Sequence, residues 1–121
     1  MWKNYNANPR GIHTGDCTIR AISTALGEEY EETLAGISVY ALVFCDLPSS
    51  NRVWGEYLKS QGFKRKPVEC DCTVSEFADK HSKGVYVLAL SGHVVAVVDG
   101  IYYDTWDSGD EYPVYYWIKE A

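Results

Sequence analysis

At 121 residues and 46% hydrophobic, the chain has the size and composition of one domain, residues 1–121, folded around one core. Its formal charge of −6 argues against a nucleic-acid partner, which needs a basic face to meet phosphates. Residues Met1 to Asn6 hold no apolar run of the kind that opens a signal peptide, and the longest apolar stretch, around Val95–Val98, is too short to span a bilayer. A cytoplasmic location, no membrane partner and reduced thiols at Cys17, Cys45, Cys70 and Cys72 are therefore expected.

Residues 1–15 read as irregular, punctuated by Pro9, Gly11 and Gly15. Ile19, Ile22, Ala25 and Leu26 then recur at helical spacing, with Asp16 as N-cap and Gly27 as the stop. A second helix is expected over Glu28 to Leu42, with Tyr30, Leu34, Ile37 and Leu42 inward, broken by Asp46-Leu47-Pro48. A third follows Ser49-Ser50, burying Val53, Trp54, Tyr57 and Leu58 and ending at Gly62. Thr73-Val74-Ser75-Glu76 matches a capping box, so a short fourth helix starts there with Phe77 and Ala78 inward.

From Val85 the pattern turns to strands. Val85–Leu90 is apolar enough to be central, His93–Val98 follows the Ser91-Gly92 turn, and Asp99-Gly100 is a strong hairpin signal leading into Ile101–Trp106. After Ser108-Gly109-Asp110 comes a last strand, Val114–Ile118. Helices first and an antiparallel meander second give an α+β layout, N-terminal helices packed on a C-terminal antiparallel sheet.

The hairpin brings chemistry together. If Asp99 and Gly100 are the loop, His93 lies opposite Trp106 and Asp104 opposite Val95, so His93 and Asp104 are diagonal neighbours on one face, about 7–8 Å apart at the backbone. A slip of one residue would move Asp104 to the other face. Asp107 falls on the opposite face in this register. Cys17, at the first turn of a helix, feels the positive end of the helix dipole, which favours a thiolate. A thiolate, an imidazole and an orienting carboxylate are the parts of a cysteine nucleophile: Cys17 attacks, His93 carries the proton, and Asp104 holds the ring in one tautomer. The oxyanion needs the Cys17 backbone N–H and a second donor, for which Asn6 and Asn8 have the right amide chemistry and His13 and Thr14 stand nearby.

The Gly15-Asp16-Cys17 helix start, the Gly92-His93 strand start and the later strand Asp104 resemble the papain-like cysteine peptidase superfamily. The chain looks most like its compact members, the bacteriocin-leader peptidases and the Josephin-type and other deubiquitinases, and is similar to small uncharacterised phage-encoded proteins. That resemblance implies a papain-like α+β fold, hydrolysis of a peptide or isopeptide bond in a peptide or protein substrate, and roles for Cys17 as nucleophile, His93 as base and Asp104 as orienting residue. For a phage-encoded chain the place of action is the host cytoplasm. One position departs from the pattern: papain-like enzymes usually carry a Gln about six residues before the nucleophile, and Gly11 stands there. Two other readings share the scaffold: acyl or amine transfer on the same triad, as in transglutaminase-like proteins, and an inactive papain-like binding protein of phage type, motivated by the absent Gln.

The remaining features read more plainly. Cys70-Asp71-Cys72 is too closely spaced for a zinc pair and has no second pair to complete it, so neither metal nor cofactor is expected. Among the many C-terminal aromatics, Trp106 beside His93 is a candidate to cover the site and Tyr102 to line a substrate groove, most of the others being core. Arg20 and Lys64-Arg65-Lys66 read as solvated surface.

Overall fold

Asp99 and Gly100 both adopt positive φ, 49° and 81°, the mirror-image turn whose twist suits a two-residue hairpin. Strands β4 (His93–Val98) and β5 (Ile101–Asp104) therefore pair in the expected register, Val98 with Ile101, Val97 with Tyr102 and Ala96 with Tyr103. Strand β3 (Val85–Leu90) pairs with the other edge of β4, Leu90 opposite His93. This computed structural model describes residues 1–69 and 71–119.

The sheet is larger and more mixed than the antiparallel C-terminal meander expected. Strand β1 (Trp2–Asn4) runs parallel to β5, and β2 (Phe63–Pro67) caps the far edge against β6 (Tyr115–Lys119). The order is β1-β5-β4-β3-β6-β2, so the last strand crosses back to lie beside β3. Both edge strands come from segments read as irregular or solvated. β1 is three exposed residues held by pairing and by the Trp2 indole N–H on the Asp104 carbonyl, and β2 presents Lys64, Arg65 and Lys66 on a charged edge, which discourages further strand addition.

Four helices occur among the described residues, on two sides of the sheet. α1 (Cys17–Leu26), α2 (Tyr30–Phe44) and α3 (Asn51–Ser60) share a core with one face through Ile22, Ile37, Trp54, Leu58, Val87 and Trp117. α4 (Val74–Lys80), closed by the Thr73/Glu76 capping box, packs Phe77 and Ala78 on the opposite face with Leu88, Val95, Val97 and Tyr102. The fold is thus α+β, with the mixed sheet as the middle layer. None of these helices is long and apolar enough to cross a membrane.

Three local expectations change. α1 stops at Gly27 in the left-handed region as expected, but Asp16 makes no side-chain cap; its carboxylate is turned elsewhere. On α2 the buried positions are Thr33, Ile37 and Ala41, while Leu34 and Leu42 are exposed, because the helix is apolar nearly all round and periodicity cannot choose its inner face. Cys72 is disulfide-bonded and so is not the reduced thiol expected, whereas Cys17 and Cys45 are free. Cys70 lies outside the described residues.

Candidate active site

Three elements deliver the site. The first helical position of α1 carries Cys17, half-buried against the sheet; the first residue of β4 carries His93; the last residue of β5 carries Asp104. The hairpin register makes the second pair meet: His93 Nε2 lies 2.6 Å from Asp104 Oδ2. Cys17 lies beside the same imidazole, close enough that each shifts the other's titration, and because Nε2 is occupied by Asp104, Nδ1 is the nitrogen left for the thiol. The Val94 N–H is near enough to favour the thiolate as well. All three residues expected from the sequence converge.

Charge is arranged for an ion pair. Burial pushes the Cys17 thiol up, but the hydrogen bond and charge of His93, the Val94 N–H and Arg20 together bring it below its ordinary value. Burial alone would lower the His93 value; Asp104 and Cys17 outweigh it and raise His93 to about 9. Burial likewise opposes ionisation of Asp104, and bonds from His93, Ser108 and the Thr105 N–H hold it below the usual carboxylate range. A thiolate–imidazolium pair backed by a carboxylate is the state these shifts favour.

Asp104 is 2% exposed and every contact it makes is ordered. Oδ2 accepts from the fully buried Ser108 Oγ at 2.8 Å as well as from His93, and Oδ1 accepts from the Thr105 N–H at 2.8 Å. Arg20 completes the set. Its Nε donates to Asp16 Oδ1 at 2.8 Å while one terminal nitrogen reaches Thr105 Oγ1 at 3.3 Å and Asp104 Oδ1 at 3.5 Å. Arg20 is therefore no solvated surface residue; it joins the helix carrying Cys17 to the strand carrying Asp104. The i, i+4 spacing from Asp16 to Arg20 was the signal available in the sequence. For Ser108, inside a Ser-Gly-Asp turn, no signal distinguished it.

The oxyanion candidates are placed differently. Asn8 is buried and gives its amide to Asp16 Oδ2 at 3.1 Å and the Tyr30 hydroxyl at 3.5 Å, while its carbonyl accepts from the Arg10 N–H. Asn6 donates to the Ile12 carbonyl at 3.3 Å and accepts from the Asn8 N–H. Both amides order the 6–16 loop; neither is brought to Cys17. The Asp16 carboxylate, bonded by Asn8, Tyr30 and Arg20, is drawn away from the helix N-terminus it precedes, which leaves that first turn without a side-chain cap. His13 and Thr14 are exposed in the same loop.

Strand β5 ends at Asp104, short of the Trp106 expected, yet the Trp106 ring centroid is 5.2 Å from that of His93 and its outer side is open to solvent. Tyr102 does not line a groove beside it, which corrects the expectation. Only 4% exposed, it is buried in the cluster under α4 and donates its hydroxyl to Asp107 Oδ1 at 2.6 Å. The arrangement sets a thiol, an imidazole and a buried carboxylate side by side. Compared with protein-family models, with curated proteins and with solved structures, the chain matches none.

Proposed function

We propose that the chain is a papain-like cysteine hydrolase that cleaves a peptide or isopeptide bond through an acyl-enzyme on Cys17. The observation that carries this reading is the His93 ring held between Cys17 and Asp104, with Nε2 fixed at 2.6 Å from the carboxylate. A structural histidine needs one partner; this one has a buried acid on Nε2 and a thiol beside the ring.

Each group then has a task. The Cys17 thiolate attacks the carbonyl carbon, and the electron pair moves to the carbonyl oxygen. The N-terminus of α1, without a side-chain cap, offers the Cys17 backbone N–H to that oxyanion as the first of its two donors. On collapse, His93 gives its Nδ1 proton to the departing amine nitrogen and the C–N bond breaks, leaving a thioester and a neutral imidazole. Water enters, loses a proton to His93 and attacks the thioester; the acid leaves and the thiolate–imidazolium pair is restored. Asp104 stabilises the imidazolium without taking its proton, and Trp106 shields the ring from bulk water.

A thiol-directed electrophile at low dose tests this reading. Cys17 should be labelled ahead of Cys45, although Cys45 is the more exposed free thiol. His93→Ala should slow labelling of Cys17 on the order of 100-fold at neutral pH, since the thiolate loses its counter-ion. Equal labelling of the two thiols, or indifference to His93→Ala, rejects a catalytic Cys17. The commitment of both asparagine amides to the loop favours a second reading, a papain-like binding protein without turnover. Labelling that responds to His93 while no thioester forms with any activated acyl donor would support that reading instead.

A further inference from the structure

α2 breaks the usual rule for a surface helix. No charged residue occurs from Thr33 to Cys45, and the side turned away from the sheet carries Val39, Leu42 and Val43, which are 59%, 79% and 69% exposed. With Ala35 they repeat at i, i+4, i+7 and i+8, one continuous stripe. Leu34 and Leu47 extend it along its margins. The exposed surface of these five large residues is on the order of 600 Å², the upper end for an apolar patch on a monomer and most of the roughly 800 Å² per partner in a standard interface.

We infer that this face of α2 is the contact of a two-fold homodimer, with α2 packed antiparallel on α2 of a second copy. The stripe is suited to pair with itself. It is apolar along its length with Val39 near its middle, so a two-fold axis there sets Ala35 of one copy against Leu42 and Val43 of the other. An isologous contact needs that self-complementarity. The ends match in charge. Glu31 and Glu32 occupy the first turn, and Arg52 lies over the Phe44 ring, 4.4 Å from its centroid, at the last turn. Antiparallel packing carries Glu32 of one copy toward Arg52 of the other. Asp46, the acid at that end, is turned back onto the Leu47 N–H at 2.7 Å. Arg52 makes no close ion pair with a described residue and acts on Asp46 only through its field, so it can take up a second acid. Helix dipoles opposed in this way also attract. The catalytic residues lie elsewhere, at the start of α1 and the ends of β4 and β5, so pairing leaves Cys17 open.

Sedimentation equilibrium on the purified chain across about 1–300 µM, the range in which a contact of this size associates, is the test. The mass should rise from 13.6 kDa toward twice that value as concentration increases. Leu42→Glu should remain monomeric throughout, with an unchanged circular dichroism spectrum because the position is exposed. Glu32→Lys should weaken association at least 3-fold, and Glu32→Lys with Arg52→Glu should restore it. A wild type that stays at 13.6 kDa over the whole range overturns the proposal. So does open-ended aggregation, or a dimer indifferent to Leu42→Glu. A dimer that Leu42→Glu abolishes but the charge swap does not restore overturns the antiparallel arrangement.

Discussion

The site and the outer face of α2 depart from the inside-apolar, outside-polar pattern in opposite directions. Around Cys17 the protein buries Asp16, Asp104, Ser108 and Asn8, all less than a tenth exposed; on α2 it leaves Leu42 and Val43 more than two-thirds exposed. The buried polar groups are compensated within the chain. Each is hydrogen-bonded, and the two carboxylates share Arg20. The exposed apolar groups have no such compensation among the described residues. A buried acid without its partners would cost several kcal/mol, which accounts for the dense bonding; an exposed Leu costs nothing that folding must recover. Disturbance of the buried polar groups should therefore register in stability and chemistry together, and disturbance on α2 in neither.

The largest effect expected is on Cys17. Cys17→Ala should remove thioester formation with an activated acyl donor entirely, read by mass spectrometry of the quenched protein. Its stability should change little, since a half-buried sulfur is replaced by a methyl. Asp104→Ala should act on both sides of the contrast. Removing the acceptor shared by His93, Ser108, Thr105 and Arg20 should cost about 3–5 kcal/mol in denaturant unfolding. In the protein that remains folded, the His93 titration followed by NMR should fall from about 9 toward its ordinary 6.5. Arg20→Met should be milder, about 1–3 kcal/mol, because it removes one cation from two carboxylates that keep their other bonds. It should raise the acid limb of Cys17 labelling, since Arg20 helps to lower the thiol. At the small end, Leu42→Ala should shift stability by less than about 0.5 kcal/mol.

Titration offers a sharper version of the same contrast. His93 is raised to about 9, so its share of stability is fully present below 6.5 and is lost as pH rises through 9. The Cys17 thiol is lowered from 9.0, so its share grows over part of that same range. The two slopes oppose one another. Between pH 6.5 and 9 wild-type stability should thus fall less steeply than that of Cys17→Ala, which keeps the His93 slope alone. On the acid side, Asp16 and Asp104 are both depressed below 3.8; their contributions hold above that value and disappear as pH falls through the folded-state values. Chemical denaturation across pH for both proteins measures these slopes.

Much of the site was legible because local rules govern it. A two-residue loop with both φ positive leaves one register for β4 and β5, and that register alone brings Asp104 to His93. Gly27 and the Thr73/Glu76 box marked helix ends for equally local reasons. What escaped was decided by partners far away in sequence. β1 is three exposed residues that become a strand only beside β5, and β2 hides its pairing behind Lys64, Arg65 and Lys66. Arg20 looked solvated because Thr105 and Asp104 lie more than eighty positions downstream. Asn8 looked free for chemistry because nothing local revealed that Asp16 would claim its amide. The inner face of α2 was unreadable for another reason: beyond its first turn the helix carries no charge, and the periodic signal is too weak to orient it.

The interval of eleven residues between His93 and Asp104 is a ruler set by the backbone. It is fixed by the pitch of two strands and the length of one turn, not by the side chains between. A lineage could replace nearly every intervening residue and keep the pair intact, while the loss of a single codon from the hairpin would part them. For this site, spacing should outlast identity, and descent is better traced by where gaps are refused than by which letters agree.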